Sequence, residues 1–322
     1  MQSLPATMQA LNWNDLQAVL AVARAGQLAR AGAAMGVDAT TIGRRVRRVE
    51  VRLGQTLFEH TRDGQVITEA GEALLAEIET MANAAGRIGD LGDLGNGPTG
   101  NLRVSLSEGF GTWFVANLVG EFIAAHPRLA LDLVASSGFL SPSKREADLA
   151  VTLSRPRAGP VIASKLTDYA LRLYASRRYS SNHDLPSQPC DLARGHLLVG
   201  YIPDLLYAPE LRYLAEFHPG LNAHVRSSSI NAQYRLIASG MGIGVLPCFI
   251  GDADQSLVCV LPEMSILRSF WLVTHKETQQ LARVRAFKNW LIDAVQTHRK
   301  RLSPGACRTE AHGKLNNGRE KG

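Results

Sequence analysis

The sequence predicts an α+β multidomain chain, with a small helical module carrying a β-hairpin at its front and a larger α/β domain behind. Three observations carry this reading. Gly26, Gly36 and Gly54 each close an apolar-periodic segment, so three short helices fall within about forty residues. A glycine-rich break, GDLGDLGNGPTGN, then interrupts the chain before residue 102. From Leu102 onward apolar runs alternate with helical spacing, the pattern of strands interleaved with helices. A length of 322 residues suits two domains better than one.

The first helix is read in WNDLQAVLAVARAG, where Leu16, Val19, Leu20 and Ala23 share one face. LARAGAAM makes a second, shorter helix. Asp38 is placed to cap a third from Ala39 to Leu53. On that helix Ile42, Val46, Val49 and Leu53 are predicted to be buried, while Thr40, Thr41, Arg44, Arg45 and Arg48 project outward. The turn MGVD makes helices two and three a helix-turn-helix. TLFEHTRDGQVIT follows with two β-prone runs around RDG, a hairpin wing.

Thr68 is placed to cap a further, longer helix with Glu69 and Glu72 in its first turn, where the helix dipole favours anions. Leu74, Ile78, Met81, Ala85 and Ile88 follow at spacings of 4, 3, 4 and 3, a narrow seam suited to pairing with another helix. The same spacing also suits a core stripe within one chain. Beyond the glycine-rich break, LRVSL, LALDLV, DLAVTL, ALRLYAS, HLLVGYI, GIGVLP, LVCVL and SFWLVTH read as strands of mainly parallel sheets, with room for two small sheets and a cleft.

Composition excludes several classes. The start of the chain shows no signal peptide and no apolar run approaches a membrane span, which points to a cytoplasmic protein without membrane contact. Cys190, Cys248, Cys259 and Cys307 are scattered, and the nine histidines show no ligand spacing, so neither a disulfide framework nor a metal site is expected. SPSK at Ser141–Lys144 lacks the companion motifs of a serine acyl-transferase. GMGIG at Gly240–Gly244 precedes a strand, whereas a dinucleotide loop follows one. No enzyme is expected. The net charge of +6 is concentrated at the ends: residues 1–65 carry eight Arg against five acids, and residues from 298 carry seven Lys+Arg against two. The polar segment 299–322 reads as a disordered basic tail.

The order of parts in DLQAVLAVARAGQLARAGAAMGVDATTIGRRVRRVEVRLGQTLFEHTRDGQVITEAGEALL resembles the LysR-type transcriptional regulators. The resemblance rests on the Val49–Glu50 pair closing the third helix, Leu53, Gly54, Leu57 and Phe58 in L-G-x-x-L-F, and Thr68, Ala70 and Gly71 in T-x-A-G. Downstream, ADLAV (147–151), GMGIGVLP and WLVTH with RVRAFKNWL look like the family's effector domain. Some positions depart from the family pattern. Gln27 stands for a usual serine at the start of helix two, and Ala39, Thr40 and Gly43 stand where relatives often place Gln, Pro and Ser. Arg45 and His60 likewise replace the usual Gln and Arg.

The resemblance implies a winged helix-turn-helix DNA-binding domain over 1–68, a linker helix and hinge over 69–100, and an effector-binding domain of periplasmic-binding-protein type over 101–298. Its first subdomain is placed at 101–165 with 271–298, its second at 166–270. Such a module sets Thr40, Thr41, Arg44 and Arg45 against base edges, and Arg47, Arg48 and Arg52 toward phosphates or solvent. Arg62 in the wing is placed near the DNA backbone or minor groove. Leu74, Ile78, Met81 and Ile88 are the dimerisation candidates, within a homodimer or homotetramer. The expected partners are double-stranded promoter DNA, a second copy of the chain, RNA polymerase, and a small-molecule effector of unknown identity, with no cofactor. Ser107, Ser136, Tyr201, Ser229 and Asn231 are the effector candidates, because hydroxyls and backbone N–H groups at strand-to-helix turns hold anions. An organic acid or a small aromatic or polar metabolite is the expected ligand. The rival reading is a metabolite-binding protein of periplasmic type without a regulatory role.

Overall fold

The computed structural model describes residues 11–303 except 62–63, 93–96, 137, 139 and 145. The chain divides into two compact units between Gly95 and Asn96.

The front unit contains α1 (Trp13–Ala25), α2 (Leu28–Met35), α3 (Ala39–Leu53), the hairpin β1 (Phe58–Thr61) and β2 (Gly64–Ile67), and α4 (Glu69–Gly92). Asn12 caps α1 by accepting the Asn14 N–H at 2.9 Å, and Asp38 caps α3. The three glycines expected as stops adopt left-handed φ of 68°, 66° and 64° at positions 26, 36 and 54, a conformation that costs a side-chain-bearing residue. The expected buried stripe holds for Ile42, Val46 and Val49, but Leu53 is 39% exposed. Burial ends one turn early, at Val49, before the connection to β1. There the Glu50 carboxylate accepts the Leu57 N–H at 2.8 Å.

On α4 the expected seam splits. Ile78 is fully buried in the core of its own unit, with Leu74, Leu75 and Ala82 partly buried beside it, whereas Met81 is 46% exposed. The cause is the packing of α4 on α1, which draws the Ile78 face inward. Ile88 lies on α4, with its side chain outside the described residues.

The second unit runs β3 (Gly100–Ser107), α5 (Glu108–Phe110), a π-helical turn (Gly111–Val115), α6 (Ala116–Ala125), β4 (Leu129–Ser136), β5 (Leu149–Thr152) and β6 (Val161–Ser176). It continues through α7 (Arg177–Ser180), β7 (Leu198–Gly200), α8 (Leu214–Phe217), β8 (Val225–Arg226), α9 (Ile230–Ala238) and β9 (Ile243–Pro247). α10 (Cys248–Gly251), β10 (Leu257–Val260), β11 (Ile266–His275), α11 (Ala282–Thr297) and α12 (Arg299–Leu302) complete it.

The strands follow one path, β4-β3-β5-β11-β6-β9-β7-β8, with β10 on β6, rather than forming two small sheets. Nor are they mainly parallel. β3 pairs in parallel with β4 and β5, and β7 with β8 and β9, but every ladder of β6 and β11 is antiparallel. β6 escapes an apolar pattern because it is sixteen residues long and its first half carries Lys165, Thr167 and Asp168. β6 and β11 pass between the two subdomains, and their register shifts between Phe270 and Trp271. The short turn Gly240–Gly242 joins α9 to β9, as the GMGIG segment requires, since a Cβ on Gly242 would lie 2.1 Å from Leu197 O. Residues 299–302, expected to begin the tail, instead form a helical turn whose Leu302 is fully buried. The rest of the expected tail, 304–322, lies outside the described residues.

Gly71 seats α4 against the hairpin. A Cβ there would stand 2.4 Å from Leu57 O and 2.6 Å from Ile67 Cγ1. Gly71→Val is expected to destabilise the front unit by about 1–3 kcal/mol through overpacking. Urea unfolding of the full chain checks this, and an unchanged first transition would show that α4 has another way to seat.

Candidate functional site

The exposed surface of α3 is organised by its cap. Asp38 accepts the Thr41 N–H at 2.6 Å and the Thr41 hydroxyl at 2.9 Å, and it also accepts the Thr40 hydroxyl. The Thr40 hydroxyl, then the Thr41 N–H and hydroxyl, hold the Asp38 carboxyl well below the usual carboxylate range. Both threonine hydroxyl protons are therefore committed to the cap, which leaves the hydroxyl oxygens able only to accept. Arg44 is exposed and Arg45 half-buried on the next turn. Arg44, Arg47, Arg48 and Arg52 share a groove of about 460 Å³ with Asn12 and Asp15.

Arg48 has a structural partner that spacing alone does not reveal. Its Nη2 lies 2.6 Å from Oδ1 of Asp15, which is buried in α1, so this arginine ties α3 to α1. Gln27 makes no side-chain cap on α2. In the wing, His60 faces Gln65 at 3.2 Å, and Arg62 lies outside the described residues.

In the second unit, Ser107 and Tyr201 line a narrow, partly open cavity between the subdomains, together with Phe110, Tyr169, Tyr207, Tyr213, Phe249 and Phe270. Its free volume is about 30 Å³, space for only a few water molecules. Burial pushes the hydroxyls of Tyr169, Tyr201, Tyr207 and Tyr213 far above the usual phenol range, so all four rings stay neutral. Ser107 makes no side-chain cap on α5 and is 5% exposed. Ser136 pairs with Ser107 in the β3–β4 ladder but donates its hydroxyl to Gly138 O at 2.6 Å and does not line the cavity.

Ser229 and Asn231 are brought to the subdomain interface, but a group of the chain itself occupies the site they form. Glu108, the first residue of α5, receives the Ser229 hydroxyl at 2.7 Å, the Ile230 N–H at 3.0 Å and the Asn231 side-chain amide at 3.0 Å. The anion predicted for the start of α9 is thus Glu108 itself. Asn231 also accepts the Trp113 indole N–H at 2.7 Å, and Trp113 meets Tyr234 edge-on at 4.7 Å. Sequence reasoning missed Glu108 because an acid in a first helical turn already has a local explanation, and its partner lies more than 120 residues away. Of the lining tyrosines, Tyr201 is among the sequence candidates, whereas Tyr169, Tyr207 and Tyr213 are not, because a tyrosine outside a regular apolar pattern carries no local signal of the cavity it will line.

A helix-turn-helix with a wing and a two-lobed α/β domain with a cavity between its lobes together define a ligand-responsive DNA-binding regulator. The comparisons with known proteins agree. Residues 13–72 match the model of the bacterial regulatory helix-turn-helix of the lysR family, and residues 95–296 match the LysR substrate binding domain. The chain belongs to the LysR family and is a transcriptional regulator of that type, with a DNA-binding and an effector-binding domain. That pairing rules against the reading as a metabolite-binding protein without a regulatory role. The family is one of regulators, not enzymes.

The chain is 29% identical over 288 residues to the Mau operon transcriptional activator of Paracoccus denitrificans, covering 88% of this chain and 96% of that protein. It is 28% identical to the regulator PtxR of Pseudomonas aeruginosa, over 89% of this chain and 93% of that one. Among solved structures, CrgA of Neisseria meningitidis, a LysR-type regulator, superposes with a TM-score of 0.55 at 25% identity, over 88% of this chain and 98% of that chain. A cysteine-to-aspartate variant of full-length OxyR from Pseudomonas aeruginosa shares the fold at a TM-score of 0.66, 18% identity and coverage of 89% and 98%. Among the described residues no helix is long and apolar enough to cross a membrane, and no cluster of three His, Cys, Asp or Glu is placed to hold a metal.

The two exposed ends of α3 should separate in experiment. Arg48→Ala leaves the buried Asp15 carboxylate without its guanidinium and is expected to cost the front unit about 1–3 kcal/mol of stability. Arg44→Ala, with no such partner, should stay within about 0.5 kcal/mol of wild type. Equal thermal melts for the two variants would remove the structural role given to Arg48.

Proposed function

We propose that the chain acts in the cytoplasm as an effector-switched regulator that sets α3 in the major groove of promoter DNA. The observation that carries this is Arg44: exposed, one turn into a helix whose start is pinned by Asp38. An arginine so placed grips guanine O6 and N7 through two parallel hydrogen bonds. Arg45 is a second reader, while Thr40 and Thr41 offer methyl groups and lone pairs to base edges. Arg47 and Arg52 contact phosphates, which position the module without specifying sequence. Arg48 has its charge partly met by Asp15 and serves the frame as well as the DNA. Arg62, which lies outside the described residues, is assigned the adjacent backbone or minor groove.

One such module reads too few base pairs to find a site alone, so two copies act together. The exposed Met81 and Ala85 support a dimer contact on that side of α4, whereas Leu74 and Ile78 hold α4 to its own module. We further propose a homotetramer as the working assembly and RNA polymerase as the partner at the promoter. The effector occupies the cavity lined by Ser107 and Tyr201, between the subdomains at 101–165 with 271–298 and at 166–270. Its binding shifts their relative orientation.

Mobility-shift titration on DNA flanking the chain's own gene tests the reading. Arg44→Ala is expected to lose about 1–3 kcal/mol on the specific site and much less on unrelated DNA. A uniform loss on every sequence, with only the salt slope changed, would sink the base-reading role. Sedimentation checks the dimer: Met81→Glu should shift the chain toward monomer with an unchanged melt, and Ile78→Glu should lower the melt instead. The opposite pattern would reassign the seam.

A further inference from the structure

The cavity between the subdomains has a charge character that the fold alone does not specify. Among the described residues no Lys, Arg or His lines it, seven of its lining residues are Phe or Tyr, and its four tyrosines stay neutral. Aromatic faces carry negative quadrupole density and attract cations. Glu108 stands at the wall between the lining residues Ser107 and Gly109, and its carboxylate reaches across to Ile230, another lining residue. Its charge extends inward, pushing the Tyr201 and Tyr207 phenols further up after burial has done most of the work. Arg268 is the cation whose field reaches Tyr169, and it is ion-paired with Glu216.

Resting on the effector reading above, we propose that this cavity takes a small organic ammonium ion, whose charge pairs with Glu108 and competes with Ser229, Ile230 and Asn231 for the carboxylate. The argument is one of differential binding. A ligand shifts a two-state equilibrium only by its difference in affinity for the two states. A neutral ligand leaves the Glu108 contacts to α9 untouched. A carboxylate repels Glu108 in a low-dielectric site, and displacing it from α9 leaves two anions facing one helix start. An ammonium ion alone offers Glu108 a replacement partner, and so couples occupancy of the cavity to the contact between the two subdomains. The small free volume of about 30 Å³ means that a ligand larger than a few water molecules must displace surrounding groups to be seated.

Thermal unfolding and calorimetric titration of the full-length chain test the proposal with two shape-matched sets: benzylammonium, benzyl alcohol and benzoate, and methylammonium, methanol and formate. At least one ammonium ion is expected to raise the melt by about 2–4 °C, with its alcohol and carboxylate counterparts inert. Glu108→Gln, which keeps the shape, should weaken that binding on the order of 30-fold or more. Asn231→Ala removes a competing donor and should tighten it about fivefold. Preference for a carboxylate, no response to either ammonium ion, or ammonium binding indifferent to Glu108→Gln each overturns the assignment. Leu153→Trp fills the cavity: a carboxylate response that it abolishes leaves the effector site standing and only its charge class wrong. Binding that survives it removes the cavity reading itself.

Discussion

The antiparallel ladder between β6 and β11 is the constraint on which the second unit depends. Both strands run from one subdomain into the other, so each subdomain is completed by chain that belongs equally to its neighbour. A continuous backbone ladder resists shear but bends where its register is irregular, and the shift between Phe270 and Trp271 is such a point. Everything that faces across the interface follows from this ladder. β3 ends at Ser107 and delivers Glu108 from one side, while β8 leads into α9 and delivers Ser229 and Asn231 from the other. The cavity is what remains between aromatic rings that fill the junction, with Tyr169 stacked on Phe270 at 4.1 Å.

In the front unit the corresponding constraint is a single helix used on two faces. Ile42, Val46 and Val49 bury one face of α3, and the opposite face must then carry every polar contact the module makes. The arginines there are chemically alike but differ in circumstance. Arg48 is held by a carboxylate inside α1, so part of its charge is spent on folding. Arg44 keeps its guanidinium available, on a turn whose backbone is fixed by Asp38. A side chain can discriminate bases only when its anchor does not move, so in the proposed role of Arg44 the cap would matter to recognition as much as to stability.

The sequence made the front unit legible almost residue by residue because its determinants are local. Glycine stops, an Asp cap three residues before the N–H it accepts, and apolar positions three and four apart all act within one or two turns. Where the reading slipped, at Ile78, the deciding neighbour was a different element, α1. The α/β unit was legible as strands and helices but not as a sheet. Strand direction is set by pairing between distant segments, and β6 hides half its length behind polar residues that face neighbouring strands and solvent rather than the core.

The effector candidates show the same limit in sharper form. Serines at strand-to-helix turns mark places where N–H groups and hydroxyls converge, and sequence finds them because that chemistry is local. What sequence cannot supply is the occupant. At α9 the donors converge on Glu108, so a site that reads as a receptor for an external anion is internally neutralised. Once the anion is part of the protein, the electrostatic logic of the pocket changes sign. Donors and carboxylate satisfy one another in the closed arrangement, and a ligand gains leverage only by offering one of them something better. A cation can make that offer to Glu108, because burying an ion beside an unmatched like charge costs far more than exchanging one counter-charge for another. Under the proposed reading the charge class of the effector follows from which side of the contact the protein has already supplied, and here it has supplied the negative one.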